Sequence, residues 1–268
     1  MPYASSILQR KFGLGQQYDP NAVAYFTTAN ITDPTAKQQI NSFVKGVKSL
    51  GLWNSMVCWP LRSSQNASST LTAQSLGGLG NYPATITNFG SASSAWTSTG
   101  LVGSSVNSVA TTTLILPSGN SSRTLVSVWQ NYSTSQFVPI GSTTADFNRF
   151  LLRSNNQTNA CSDLYNGTTY DAFGSTTVSS GVNFSAVTYN ASNSAVLFKA
   201  NSNASTSATL AKSFGSGAVI FGAYSGSSGQ GYGLFALNMA LNISLTETQI
   251  NNLNLLYKST LGLGLTLP

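Results

Sequence analysis

The chain has 268 residues, 41% of them hydrophobic, enough to bury a real core, which excludes a disordered polypeptide. Only 7% are charged, against about a quarter in ordinary soluble domains, so Ser, Thr, Asn and Gly carry the surface; such a neutral surface suits a subunit packed against its own copies or a shell better than a freely diffusing enzyme. Twelve Lys and Arg against six acidic residues give +6, but they stand singly from Arg10 to Lys258, so there is no cationic face for nucleic acid and at most a mild pull toward an anionic surface.

The first 19 or so residues place Tyr3, Ile7, Leu8 and Phe12 between polar neighbours, the pattern of a docking arm or of a strand joining a sheet. Asp19-Pro20 then caps and opens a short helix through Phe26. Thr32-Asp33-Pro34 starts a clearer one, in which Ile40, Phe43, Val44, Val47 and Leu50 recur at helical spacing until Gly51. Lys37, Lys45 and Lys48 fall largely off that stripe and read as solvated.

From about residue 60 to 240 the texture becomes short runs of Thr, Val, Ile and aromatics divided by Gly, Ser and Asn. Strands are expected at Ala110–Leu116, Thr124–Trp129, Arg149–Arg153, Val182–Tyr189, Ala195–Lys199, Ala208–Ala211, Ala218–Ala223 and Leu234–Asn242. No helical pattern separates them, which favours an antiparallel sandwich over an α/β fold. Leu245–Thr260 closes the chain as a helix opened by the capping box Thr246-Glu247-Thr248-Gln249.

The final third resembles the concanavalin A-like (LamG) family in the order of its elements. Asn183-Phe184-Ser185-Ala186-Val187-Thr188-Tyr189-Asn190 looks like that family's strand ending in T-Y-D/N-G/A, and Ala195-Val196-Leu197-Phe198-Lys199-Ala200-Asn201 like its partner. Ala218–Ala223 resembles the following strand, and Gly233–Leu253 the closing strand and helix. Asp19–Phe26, Ile31–Asp33, Ile40–Lys48, Gly51–Trp53 and the ending Tyr257–Gly262 are similar to segments of tailed-bacteriophage structural proteins. The two resemblances imply a mainly β jelly roll with a short helical N-terminal segment and a C-terminal helix, divided as 1–58, arm and helical anchor, and 59–268, sandwich. They also imply a non-enzymatic virion surface protein, a capsid decoration, head fibre or short tail-associated fibre. Its partners would be other virion proteins and its own copies, as a trimer by preference. The alternative is a lectin-like module for host-surface glycans. Residues 60–120 match nothing by resemblance.

Chemistry is sparse. There is no His, and the six carboxylates are Asp19, Asp33, Asp146, Asp163, Asp171 and Glu247, three of which helix starts and a turn explain. No alternating acidic strand motif of the kind glycosidases need is present, so no catalytic residue and no cofactor is expected. Cys58 and Cys161 lack further metal-ligand partners and read as buried free thiols. Asp163 and Asp171 could start a calcium site across the loop between them, but calcium wants six to eight oxygens, so no metal site is expected. Tyr165, Asn166, Tyr170 and Asp171 with Tyr232 combine aromatic faces and polar donors, the expected carbohydrate-binding set. Trp53 and Trp129 lie in apolar runs and read as core. The glycine-rich stretches at 215–217 and 226–233 have strand on both sides and read as hairpin turns, not phosphate loops. The N-terminus lacks a signal-peptide run and no segment reaches the about 18 apolar residues of a membrane span, so synthesis in a host cytoplasm and a final place in the virion are expected.

Overall fold

The structure is a computed structural model that describes residues 17–105, 107–143, 148–166, 170–225, 228, 229 and 231–268. Two helices lead, α1 (Pro20–Thr28) and α2 (Pro34–Ser49), with Asp19 and Asp33 as N-caps and a proline in each first turn. After the 3-10 turn Trp53–Ser55 come β1 (Met56–Pro60), β2 (Thr72–Ala73), β3 (Ala84–Thr87), the one-turn α3 (Ala92–Ala95), β4 (Leu101–Gly103) and β5 (Val109–Ile115). Then follow β6 (Arg123–Asn131), β7 (Phe137–Thr143), β8 (Asn148–Asn156), β9 (Asn159–Asn166), β10 (Tyr170–Thr177), β11 (Asn183–Asn190), β12 (Ala195–Ala200) and β13 (Thr206–Thr209). The chain ends with β14 (Ala218–Phe221), β15 (Ala223–Ser225), β16 (Ser228–Gly229), β17 (Gly233–Leu241) and α4 (Glu247–Ser259), the last opened by the expected capping box of Thr246 and Gln249.

These strands form two antiparallel sheets and a small hairpin. The seven-stranded sheet runs β1-β17-β6-β11-β12-β13, with β4 also on β17; the eight-stranded sheet runs β10-β9-β8-β7-β14-β5-β3-β2. The expected antiparallel β-sandwich, with helices before and after the strands among the described residues, is therefore what the chain forms.

Alternation along the strands explains how the layers stack. In β6, Leu125 and Trp129 belong to the cluster between the sheets, while Val126 and Val128 belong to a second cluster with the helices. In β17 every residue is buried. The seven-stranded sheet is thus covered on one side by the other sheet and on the other by α1, α2 and α4, whose Ile40, Phe43, Val44, Val47, Ile250 and Leu253 are fully buried. The boundary expected between residues 58 and 59 falls inside β1, where Val57 and Trp59 enter the inter-sheet core and Met56 and Cys58 the helix-facing core.

Several local expectations shift. The strand expected over Ala208–Ala211 lies at Thr206–Thr209, and Ala218–Ala223 is divided, because Gly222 adopts φ 76° and gives its N–H to the carbonyl of Val138. The segment Asp163–Asp171, read as a loop, is largely the hairpin of β9 and β10. Tyr3, Ile7, Leu8 and Phe12 lie outside the described residues.

Because α2 shares its core with the sheet, Phe43→Ala is expected to lower unfolding stability by about 3–5 kcal/mol. Urea denaturation followed by far-UV circular dichroism and by tryptophan fluorescence should give one shared, lowered midpoint. Two separate transitions would mean that the helices and the sandwich unfold independently.

Candidate functional site

The helical layer occupies one outer face of the sandwich and leaves the outer face of the eight-stranded sheet to define a surface. A single register row crosses all eight strands on that face: Thr72, Thr85, Thr111, Ile220, Gly141, Leu151, Asp163 and Ala172. Their chain neighbours Ala73, Ala84, Ala110, Val219, Ile140, Phe150, Leu152 and Leu164 point into the inter-sheet core. Toward β3 and β5 the face is open: Thr85, Thr87, Thr111 and Thr113 are exposed, and Ile115 is 58% exposed. Toward β8 and β9 it closes, with Leu151, Arg153, Cys161 and Asp163 buried and Arg149 half-buried.

The sequence-predicted residues divide over the fold. Tyr165 is in register with Tyr170 on β9 and β10, and Arg149 of β8 is in register with Tyr165, so Arg149, Tyr165 and Tyr170 share one row; Asn166 and Asp171 are their chain neighbours. Tyr232 does not join them. It precedes β17, with its ring 6.2 Å from that of Tyr132, whose carbonyl accepts from Gln157 Nε2 in the β8–β9 turn. That turn lies at the far end of β9 from Tyr165, roughly 20 Å away at the usual rise per residue. The five-residue carbohydrate set is therefore two separate groups, because sequence proximity to a glycine-rich turn says nothing about which end of a sheet the turn occupies.

The calcium candidates are separated by chemistry as well. Asp163 Oδ1 lies 2.7 Å from Arg153 Nε, and both side chains are buried, so its charge is balanced by a guanidinium; the backbone of Asp171 pairs with Leu164. Among the described residues no group of three or more His, Cys, Asp and Glu is placed to hold a metal. The other described acids are engaged too. Glu247 is held below the usual carboxylate range by hydrogen bonds from Ser205 and Lys199. Burial raises the Asp19 carboxyl, but hydrogen bonds from Lys48 and the Asn21 N–H, with the Lys48 and Lys45 charges, bring it below its ordinary value. Asp33 accepts from the Ala36 N–H as a helix cap. Cys58 and Cys161 are free and buried, as expected, and burial pushes the Cys161 thiol up to about 11.

Two residues depart from their expected roles. Trp129 is fully buried as expected, its Nε1 giving a 2.7 Å hydrogen bond to Ser185 Oγ, but Trp53 is half-buried and lines two surface clefts. Lys48, read as solvated, lies 2.8 Å from Asp19 Oδ1 and 5.1 Å from the centroid of the Trp53 ring. Gly51, at φ 72°, ends the helix just before the 3-10 turn Trp53–Ser55, and Trp53 keeps part of its surface exposed while packing against the helix-facing core.

No protein-family model matches the chain, and no curated protein matches it. Among solved structures it is similar to the NanB sialidase of Streptococcus pneumoniae, with TM-score 0.42 and 12% identity over 48% of this chain, which spans 23% of that chain. It is also similar to the Ruminococcus gnavus IT-sialidase CBM40 bound to α2,3 sialyllactose (TM-score 0.41, 14% identity, 51% of this chain and 92% of that one). A third is the SAP-like pentraxin of Limulus polyphemus (TM-score 0.39, 10% identity, 52% and 71%). The likeness is one of architecture, and the ligands bound in those structures belong to those proteins.

Removing one member of a buried ion pair strands the other. Asp163→Asn is expected to cost about 3–5 kcal/mol in urea unfolding, against less than about 0.5 kcal/mol for an ordinary surface change. Calcium should leave the melting temperature of the unaltered protein where it was. A calcium-dependent rise would reinstate a metal at this face.

Proposed function

We propose that the chain is a non-enzymatic carbohydrate-binding module whose glycan lies along the outer face of the eight-stranded sheet. The observation that carries the reading is the composition of that face: four exposed threonines, the exposed Ile115 and the half-buried Arg149, on the side the helices leave uncovered. A hydroxyl both donates and accepts, so a row of threonines matches sugar hydroxyls without the desolvation cost of charged groups. Ile115 offers an apolar patch to the C–H face of a sugar ring. Arg149, half-buried at the margin of the face, adds a positive charge, which favours an acidic sugar. The same reading gives no catalytic role to Asp19, Asp33, Asp163 and Glu247, each engaged in caps or ion pairs, and no imidazole exists in the chain.

Calorimetric titration with α2,3-sialyllactose and with lactose tests this. The sialylated sugar should bind more tightly, and Arg149→Ala should weaken it about tenfold or more while lactose binding changes little. Equal affinity for both sugars, or no heat from either together with an empty glycan array, would overturn the proposal.

The second reading, a surface subunit of a phage particle that assembles with its own copies and other virion proteins, is favoured by the neutral exterior. Twelve basic and six acidic residues over 268 positions leave little self-repulsion between copies. Native mass spectrometry of the full chain should then give a closed oligomer, a trimer by preference. A monomer at every concentration would leave the binding module as a stand-alone reading.

A further inference from the structure

The 3-10 turn between α2 and β1 carries a feature that the sheet face does not explain. Trp53 stands half-buried there, its carbonyl accepting the Gly78 N–H at 2.9 Å. A Cβ at position 78 would lie 2.6 Å from the Trp53 carbonyl oxygen and 2.8 Å from its ring Cδ1, so only glycine lets the 77–80 segment close against the indole. Two open clefts of about 340 and 450 Å³ flank the ring, within the range of small-ligand sites, and share Trp53 and Asn21 in their walls.

The remaining polar lining combines the amides of Asn21, Asn54 and Asn81 with the hydroxyls of Thr28 and Ser75 and the ammonium of Lys48. Asn81 borders one cleft and Asn54 the other, and both are exposed. The Asn21 carbonyl oxygen accepts from Lys48 Nζ, but among the described residues the side-chain N–H groups of Asn21, Asn54 and Asn81 are not engaged. The single cation, Lys48, is neutralised by Asp19 at 2.8 Å, so the cup presents no net charge to a phosphate or carboxylate. An indole overlaid by Lys48 Nζ at 5.1 Å, with amide and hydroxyl groups around it and no net charge, matches a neutral sugar, which packs its C–H groups on the exposed part of the indole and takes hydrogen bonds at its hydroxyls.

We propose that the Trp53 cup is a second glycan site, selective for neutral hexose-based oligosaccharides. It rests on the reading of the chain as a carbohydrate binder but is independent of the sheet face. The cup lies beside β1 and β2, edge strands of their sheets, whereas Arg149 lies in β8 at the other side of the eight-stranded sheet.

The other three tryptophans are buried, Trp59 and Trp129 completely and Trp96 to 6% exposure, so a ligand-induced change in emission reports Trp53. The full chain is titrated with maltotetraose, cellotetraose, triacetylchitotriose and lactose, followed by intrinsic fluorescence and by saturation-transfer NMR. At least one sugar should give a saturable emission change. Trp53→Phe should abolish both signals, Asn54→Ala should weaken binding about threefold or more, and Arg149→Ala should leave it unchanged. Asn54→Ala and Asn81→Ala, on the exposed rim, carry the test if Trp53→Phe fails to fold. Absence of saturation with every neutral sugar, or binding that survives Trp53→Phe and both asparagine variants, overturns the second site. Sialyllactose binding that persists in such a case keeps the sheet-face reading alone, while loss of all sugar binding removes both.

Discussion

Double burial of the seven-stranded sheet is the constraint on which the architecture rests. Its inner strands must be buried on both faces: β1, β11 and β17 are near-continuous buried runs, whereas the edge strand β13 is mostly exposed. Polar groups enter this layer only with partners. Asn238 accepts from Ser127 Oγ at 2.6 Å and donates to the Pro139 carbonyl at 3.0 Å, tying β17 of one sheet to β7 of the other. Thr188 Oγ1 accepts the Leu245 N–H at 2.9 Å, and Thr124 Oγ1 bonds the Ile243 carbonyl at 2.8 Å, which fixes where α4 departs from the sheet. An unsatisfied group here would carry its full desolvation penalty, so these bonds set strand register as well as stability. With one sheet enclosed, solvent-facing chemistry falls to the outer face of the other sheet and to the edge where β1 and β2 meet.

What could be read from the sequence follows the range of the interactions involved. The caps of α1, α2 and α4 are local, two or three residues from donor to acceptor, and Asp19, Asp33 and Thr246 announce them. Strands flanked by clear turns, such as β5, β6 and β12, were equally legible, because alternation or an apolar run needs no knowledge of the partner. β7, β9 and β10 were not. β7 contains Pro139 and Gly141, and β9 reads Asn-Ala-Cys-Ser-Asp-Leu-Tyr-Asn, which has the composition of a loop. Its polar residues are tolerated because they meet partners across the hairpin: Asp163 finds Arg153, ten residues earlier, and Ser162 Oγ gives a hydrogen bond to the Phe173 carbonyl. Such pairing depends on register, which composition does not encode.

The candidate sites show the same limit. Tyr165 and Tyr170 come into backbone register because β9 and β10 pair, whereas Tyr232 shares only composition with them and lies at the opposite end of the sheet. Trp53 meets the core expectation only in part: it packs against the helix-facing cluster but stays half-buried in a 3-10 turn, while its neighbour Leu52 is buried to 1% exposure.

Scarcity of charge makes each remaining ion interpretable. Arg123 is fully buried, and its charge is held by the carbonyls of Pro117 and Ser121 and by the Phe214 ring, 4.4 Å from the guanidinium carbon. Burial lowers it to about 10, still far above neutral pH, so a cation is locked between β6 and the loop before it as structure. Arg153 is equally structural, matched to Asp163. Arg149 is half-buried on the outer face of the eight-stranded sheet, in one register row with two tyrosines. Partial exposure leaves part of that charge solvated, so it needs less compensation from the fold than Arg123 does.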